Sequence, residues 1–295
     1  MTKGEYAVRN KAVLAGIVTY NPDLERLKLN LEAICIQVAE TAIIDNGSQN
    51  IKDILSLIEG YDNVAVIENK NNRGIAVALN QIGDIADKQG YDYFITLDQD
   101  SVASSSLVEE LYSLFKNGSI GAVCPYIDRK NDFIAEDKVE EVKTAITSGE
   151  MVRTSVWKEI GGFWEYLFID EVDHEFSYQI RRKGYIIVQT YTVSIKHIIG
   201  VPSSKKVLGH QFNPTNHSAF RRYYIARNNV IMQHLFPKEK EPFPHRYRML
   251  MRIVISILFC EKEKVAKIGA ILIGIKDAAI WNSQNKTICV RRTER

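Results

Sequence analysis

The stretch "FITLDQDS", residues 94–101, sets the reading of the whole chain. An apolar, β-forming run ends in two aspartates with one glutamine between them, Asp98-Gln99-Asp100. A buried strand would end at lower cost on Gly, Asn or Ser than on two like charges, so the pair asks for a partner. Outward from it the pattern repeats. "AVLAGIVTY" (12–20) is a near-continuous apolar run, the signature of a strand covered on both faces. It stops at Asn21-Pro22, which reads as an N-cap followed by proline at the first helical position. Leu24, Leu27, Leu31, Ile34 and Val38 then recur at helical spacing. "TAIIDNGS" (41–48), "NVAVIEN" (63–69) and "GAVCPYI" (121–127) read as further strands. Helices are expected up to Gly60, over 75–90 and over 105–116. Strands alternating with helices predict an α/β fold: a mostly parallel sheet with helices on both faces.

Such a sheet binds ligands at the carboxyl ends of its strands. Three polar ends converge there: Thr19-Tyr20-Asn21, Asp45-Asn46-Gly47-Ser48 and Asp98-Gln99-Asp100-Ser101. Paired carboxylates select a hard cation, Mg²⁺ or Mn²⁺, of the kind that also holds substrate phosphates. A solvated acidic turn is the plain alternative for any single Asp-x-Asp. No G-x-x-x-x-G-K-[ST] and no G-x-G-x-x-G follows the first strand, which disfavours a P-loop NTPase and a dinucleotide oxidoreductase.

Composition is that of an ordinary globular protein, 45% hydrophobic and 25% charged over 295 residues. A net charge of +2 with interspersed signs gives no basic footprint for nucleic acid. Cys35, Cys124, Cys260 and Cys289 are scattered without metal-ligand spacing and read as reduced thiols. With no apolar leader and no run long enough to span a bilayer, a cytoplasmic protein is expected, working at the inner face of the membrane. The proline- and charge-rich "PKEKEPFPHR" (237–246) places a break between a catalytic domain at 1–236 and an appendage at 237–295. In the appendage, "YRMLMRIVISILF" and "KVAKIGAILIGIKDAAI" read as amphipathic helices with basic flanks, either packed on the domain or lying on a membrane surface.

"GIVTYN", "IIDNGS", "NNRGIAVALNQIG" (71–83), "TLDQDS" and the segment 148–185 occur in an order that resembles the inverting family-2 glycosyltransferases of GT-A fold. "LDQDS" and "RRYYIARN" (221–228) look most like the dTDP-rhamnosyltransferase branch, which builds bacterial surface polysaccharides. The resemblance implies transfer of L-rhamnose from dTDP-β-L-rhamnose to a saccharide, or to a polyprenyl-diphosphate-linked acceptor. UDP-galactofuranose is the alternative donor, and a non-catalytic nucleotide-sugar-binding protein the alternative class.

By the same resemblance, Thr19, Tyr20, Asn21, Asp45, Arg73, Gly74, Asp98 and Gln99 hold the nucleotide sugar. Asp45 is also explained by an Asx-turn in "DNGS", and Arg73 by simple solvation. Asn80 reads as a helix-to-loop hydrogen bond and not as a ligand. Asp98, Asp100 and His197 are implied as metal ligands, His197 having a structural role as its alternative. In "FIDEVDHEF" (168–176), Asp173 aligns with the general base that takes the acceptor hydroxyl's proton. Asp170, Glu171 and Glu175 are accounted for by the dipole of a helix with the apolar stripe Ile169, Val172, Phe176 and Ile180. Trp164, Arg221, Tyr224 and Arg227 are assigned to the acceptor or a diphosphate, with packing or a solvated helix face as the other explanation.

Overall fold

The computed structural model describes residues 10–129, 131–197, 205–207, 210–212, 214–239 and 247–285. In chain order the elements begin β1 (Asn10–Thr19), α1 (Leu24–Ile34), β2 (Val38–Asp45), α2 (Ile51–Ile58), β3 (Val64–Glu68), α3 (Ile75–Gln89) and β4 (Tyr93–Asp98). Next come β5 (Ser101–Ala103), α4 (Leu107–Ser113), β6 (Ile120–Asp128), β7 (Val139–Val142), β8 (Glu150–Arg153) and α5 (Thr154–Ile160). The series ends with α6 (Val172–Arg182), β9 (Ile186–His197), the short pair β10 (Lys205–Val207) and β11 (His210–Phe212), then α7 (Ala219–Leu235), α8 (Arg248–Cys260) and α9 (Lys264–Gln284).

Among the described residues the chain packs into two compact units. The first takes in residues up to Glu165 together with Phe176–Ile198, and is built on one nine-stranded sheet. Its order is β3-β2-β1-β4-β8-β6-β9-β5, with β7 also paired to β9. β1, β2, β3, β4, β6 and β9 run one way, so the sheet is mostly parallel, while β5, β7 and β8 run against them. The near-continuous apolar runs follow from burial on both faces. On one face Val13, Ala15 and Ile17 pack with Leu27, Leu31 and Ile34 of α1, Ile54 of α2, and Leu107 and Leu111 of α4. The other face carries α3, which comes so close to β1 that a Cβ on Gly16 would lie 2.4 Å from Ile82. There Phe94 meets Trp157 of α5 edge-on, ring centroids 6.1 Å apart.

Local details depart from the sequence expectations in physically readable ways. The α1 N-cap is Asp23, whose carboxylate accepts from Arg26 N, and not Asn21. Asn21 instead takes a left-handed turn, φ 47°, and its side chain accepts from Gln49 N. Val38, in phase with the α1 stripe, opens β2 because the chain turns after Ile34. The helix expected over 105–116 is confined to Leu107–Ser113. Ile169 stays outside α6, since Phe168, Asp170 and Glu171 all have positive φ. Cys35, Cys124 and Cys260 are buried thiols, while Cys289 lies outside the described residues.

The second unit comprises Tyr166–Glu175 and Ile199–Arg295. α7 thus groups with α8 and α9, whereas composition places the break at 236/237. The reason is packing: Ala226 of α7, Leu250 and Ile257 of α8 and Ile271 of α9 form one apolar cluster. Glu261, fully buried, accepts from Arg222 (2.6 Å) and Lys267 (3.0 Å) and so ties α7 to the start of α9. Among the described residues no helix is long and apolar enough to cross a membrane.

Candidate functional site

The first group of site residues is fixed by strand register. Thr19 lies opposite Asp45 in the β1–β2 ladder, and Val18 opposite Asp98 in the β1–β4 ladder. Three strands therefore end at one level, and their polar ends bond to one another. Asp45, almost fully buried, is the hub. Its Oδ1 accepts from Thr19 Oγ1 (2.9 Å) and Ser48 Oγ (2.5 Å), and its Oδ2 from Ser48 N (2.8 Å) and Gly47 N (3.1 Å). All four acceptor positions of the carboxylate are taken by its own neighbourhood. The Asx-turn is therefore present, and it shapes the strand end.

From this hub the contacts spread along the sheet edge. Ser48 Oγ accepts from Asn21 N at 2.7 Å, and Gln99 Oε1 accepts from Tyr20 N at 2.8 Å. Asn46, which the sequence reading did not single out, joins the loop before α3. Its Nδ2 donates to Gly74 O (3.0 Å), and its Oδ1 accepts from Arg73 N (3.2 Å) and Asn69 Nδ2 (3.2 Å). Gly74 has φ 89°, a conformation open to glycine, and the Arg73 side chain stands exposed. Ser48 was available to sequence reasoning as the turn residue after Asn-Gly. Asn46 carried no signal of its own.

Asp98 is the last residue of β4, and its carbonyl accepts from buried Asn30 at 2.7 Å. Gln99 and Asp100 form the turn into β5, a strand the sequence did not announce. Both aspartates are half-buried, and Asp100 Oδ2 lies 3.9 Å from Arg26 Nη1. β5 pairs antiparallel with β9 and sets Ser101 opposite His197, next to Asp100 in the chain. The His197 side chain lies outside the described residues. Two carboxylates flanking Gln99 give an all-oxygen donor pair suited to a hard divalent ion. Among the described residues no group of three or more His, Cys, Asp or Glu gathers as a metal centre.

Asn80 behaves as read. Its Nδ2 donates to Phe163 O and Glu165 Oε1, both at 3.0 Å, and its Oδ1 accepts from Phe163 N (2.8 Å) and Trp157 Nε1 (3.3 Å). The aromatic after Gly161-Gly162 packs in the core, with Phe163 stacked on Phe176 at 4.0 Å, while Trp164 is half-buried.

The second group of residues lies in the other unit. Asp173 stands in the first turn of α6, and its Oδ1 accepts from His174 N at 2.8 Å. Although 25% of its side chain reaches solvent, the atoms packed about it raise the carboxyl above the ordinary range. The nearby Glu171 charge adds to that rise, and His174 opposes it. Glu171 Oε2 itself bonds His174 Nδ1 at 3.0 Å. Arg221 forks onto Asp170 with contacts of 3.2 and 3.1 Å. Tyr224 stacks on Phe168 at 4.8 Å. Arg227 is no solvated arm: it is buried, its guanidinium lies 4.5 Å from the Tyr166 ring centre, and it donates to the carbonyls of Tyr166 and Leu167.

The sequence profile of Glycosyl transferase family 2 matches residues 15–172. The chain is also 30% identical over 243 residues to the dTDP-rhamnosyl transferase RfbF of Shigella flexneri, spanning 76% of this chain and 80% of that one. The chain belongs to glycosyl transferase family 2. A shorter match, 30% identity over 130 residues, links this glycosyltransferase to the hyaluronan synthase of Streptococcus pyogenes, of which it spans 30%. Two solved glycosyltransferases share its fold. GalNAc-T7, solved with UDP, GalNAc and Mn²⁺, superposes with a TM-score of 0.54 at 14% identity, over 93% of this chain and 58% of its own. TarS 1–349 of S. aureus gives 0.54 at 13% identity, over 89% of this chain and 80% of its own. The glycosyltransferase has the GT-A fold, and its family implies a nucleotide-sugar donor and a saccharide acceptor.

Proposed function

We propose that this glycosyltransferase moves L-rhamnose from dTDP-β-L-rhamnose to a saccharide hydroxyl in one inverting displacement. The observation that carries the reading is the polar edge where β1, β2 and β4 end together, with Thr19 paired to Asp45 and Asp98 to the adjacent Val18. The dTDP-rhamnose donor is supported by the likeness to RfbF over most of both chains.

In this reading Thr19, Tyr20, Asn21, Asp45, Arg73, Gly74, Asp98 and Gln99 line the nucleotide. The N3–H of the thymine base bonds Asp45 in place of the Ser48 hydroxyl, a rotor free to turn away. Asp98, Asp100 and His197 would hold Mg²⁺ or Mn²⁺, whose positive charge would neutralise the departing diphosphate. Asp173 takes the proton of the acceptor hydroxyl as that oxygen bonds to the anomeric carbon and the bond from carbon to dTDP breaks. Its raised pKa suits the task, because a stronger base accepts that proton more readily. Trp164, Arg221 and Tyr224 serve the acceptor, and Arg227 supports them from within.

The acceptor is a lipid-linked saccharide reached at the inner face of the cell membrane. On α8 the exposed Met251, Ile255, Leu258 and Phe259 lie among Arg248, Arg252 and Lys262, an arrangement that fits an anionic bilayer surface.

The test is turnover of dTDP-rhamnose and UDP-galactofuranose by the purified chain, with Mn²⁺ and with chelator, alongside Asp173→Asn. We expect metal-dependent use of dTDP-rhamnose, and a loss of at least roughly a hundredfold in Asp173→Asn with donor affinity kept. Preference for the uridine donor would overturn the donor assignment. Near wild-type transfer by Asp173→Asn would remove the base.

A further inference from the structure

Three of the four residues from 168 to 171 occupy the left-handed region, and none is glycine: Phe168 (φ 64°), Asp170 (φ 62°) and Glu171 (φ 66°). Each such residue is unfavourable by itself, and it persists only where its surroundings hold it. The loop carbonyls are held by two neighbouring side chains of α7, Asn228 foremost. Asn228, fully buried on α7, directs its Nδ2 at the carbonyls of Ile169 (2.7 Å), Leu167 (2.8 Å) and Asp170 (3.0 Å). Its Oδ1 accepts from Arg227 Nε at 2.9 Å, which fixes the orientation of the amide. Arg227 in turn donates to the carbonyls of Tyr166 and Leu167. Four carbonyls of one short loop thus point at two adjacent residues of α7. That turn of α7 has its own support, because α9 crosses it at Gly274, where a Cβ would come within 2.5 Å of Tyr223 O.

This loop feeds directly into α6. Where its carbonyls are held decides where the helix begins, and so where the Asp173 carboxylate stands. The left-handed turn at Glu171 also brings the Glu171 carboxylate onto His174. Glu171 and His174 are charged groups that act on Asp173.

We infer that Asn228 is a positioning residue for transfer: its amide clamps the loop 166–171 in a strained shape and thereby places Asp173. The inference rests on the reading of Asp173 as the base, and goes beyond it by naming what holds the base. Alanine at 228 removes the amide that donates to the Leu167, Ile169 and Asp170 carbonyls and leaves the Arg227 contacts. Aspartate keeps the shape but opposes the carbonyls with a group that only accepts. Asn229, buried beside it, accepts from Gln233 Nε2 at 2.6 Å within α7, and so serves as the control.

The experiment compares Asn228→Ala, Asn228→Asp and Asn229→Ala in the full chain by amide hydrogen exchange, calorimetric binding of dTDP with Mn²⁺, and pH–rate profiles. In Asn228→Ala we expect exchange over 166–175 to rise at least about tenfold. We expect kcat to fall at least about tenfold, because a small misplacement of a reacting group is costly. Affinity for dTDP should stay within about twofold, since uniform binding is untouched. The acidic limb of the rate profile should move to lower pH, because a loosened loop lets water reach the Asp173 carboxylate. Asn229→Ala should show none of this, and Asn228→Asp should exceed Asn228→Ala.

Unchanged loop exchange in Asn228→Ala overturns the clamp whatever the activity. Faster exchange with wild-type kcat and an unmoved acidic limb, while Asp173→Asn is inactive, overturns the positioning role and leaves the base reading intact. Faster exchange together with an active Asp173→Asn removes the base and leaves the clamp. If Asn228→Ala does not fold, Asn228→Ser, which keeps one donor and should fall between wild type and Asn228→Ala, decides by the same measurements.

Discussion

Asn80→Ala is a sharp test of how the first unit holds its loop Gly161–Trp164. The side chain is 7% exposed, and its amide serves four partners. Alanine leaves Phe163 N–H, Phe163 C=O and Trp157 Nε1–H without their bonds in a buried place. The fourth partner, Glu165, is half-exposed and turns to water. A buried group stripped of its partner costs about 1–3 kcal/mol, and the 3.3 Å indole contact is worth least of the three. Two backbone groups and a weak third give a loss of about 3–4 kcal/mol, after some relief from water entering the vacated space. That is a large share of a total stability of about 5–15 kcal/mol.

Urea unfolding followed by far-UV circular dichroism reads the loss as a lowered midpoint. Asn80→Asp adds a sign check. The new carboxylate keeps the Phe163 N–H but faces Phe163 O and the Glu165 carboxylate, so burial and like charge raise its pKa in the folded state. The folded protein then binds more protons than the unfolded chain between the two pKa values. Stability relative to wild type therefore falls as pH rises through that window and is best preserved below it. A loss under about 1 kcal/mol for Asn80→Ala would refute the reasoning, since it would mean that the amide organises nothing.

Other outcomes follow from the site. Asp100→Ala should abolish metal-dependent binding of dTDP without unfolding the protein, because the residue sits in the two-residue turn between β4 and β5; calorimetry with Mn²⁺ checks this, and unchanged affinity counts against the metal pair. Asp173→Asn should be at least as stable as wild type at neutral pH. Burial raises the folded-state pKa of Asp173, so wild type loses stability relative to the amide as pH rises through the window, and the two converge in acid; melting curves from pH 3 to 8 show it. Sedimentation with anionic vesicles should be weak and salt-sensitive, and reduced in Met251→Ser/Phe259→Ser; equal sedimentation of the two proteins would remove α8 from the membrane.

Local pattern made the sheet legible. Runs such as 12–20 and 41–48 announce strands because burial on both faces leaves few polar residues in them, and the turn chemistry after each marks where it ends. Parallel strands joined by helices then bring their carboxyl ends to one edge, so Thr19, Asp45 and Asp98 group together from the sequence alone. Asn80 was legible too, as a helix-to-loop hydrogen bond. What stayed hidden depends on partners far away in the chain. β5 has only three residues, and it is a strand because β9 passes beside it more than ninety residues later. Arg227 and Asn228 look like part of a basic, solvated helix face until α9 covers α7 and the loop 166–171 presents its carbonyls. Composition at 237–246 suggested a boundary, but a compact unit is defined by which apolar faces bury one another, and α7 buries its own against α8 and α9. A sequence displays periodicity, because burial repeats with the backbone; the partner of a buried polar side chain has no period, and only the tertiary structure selects it.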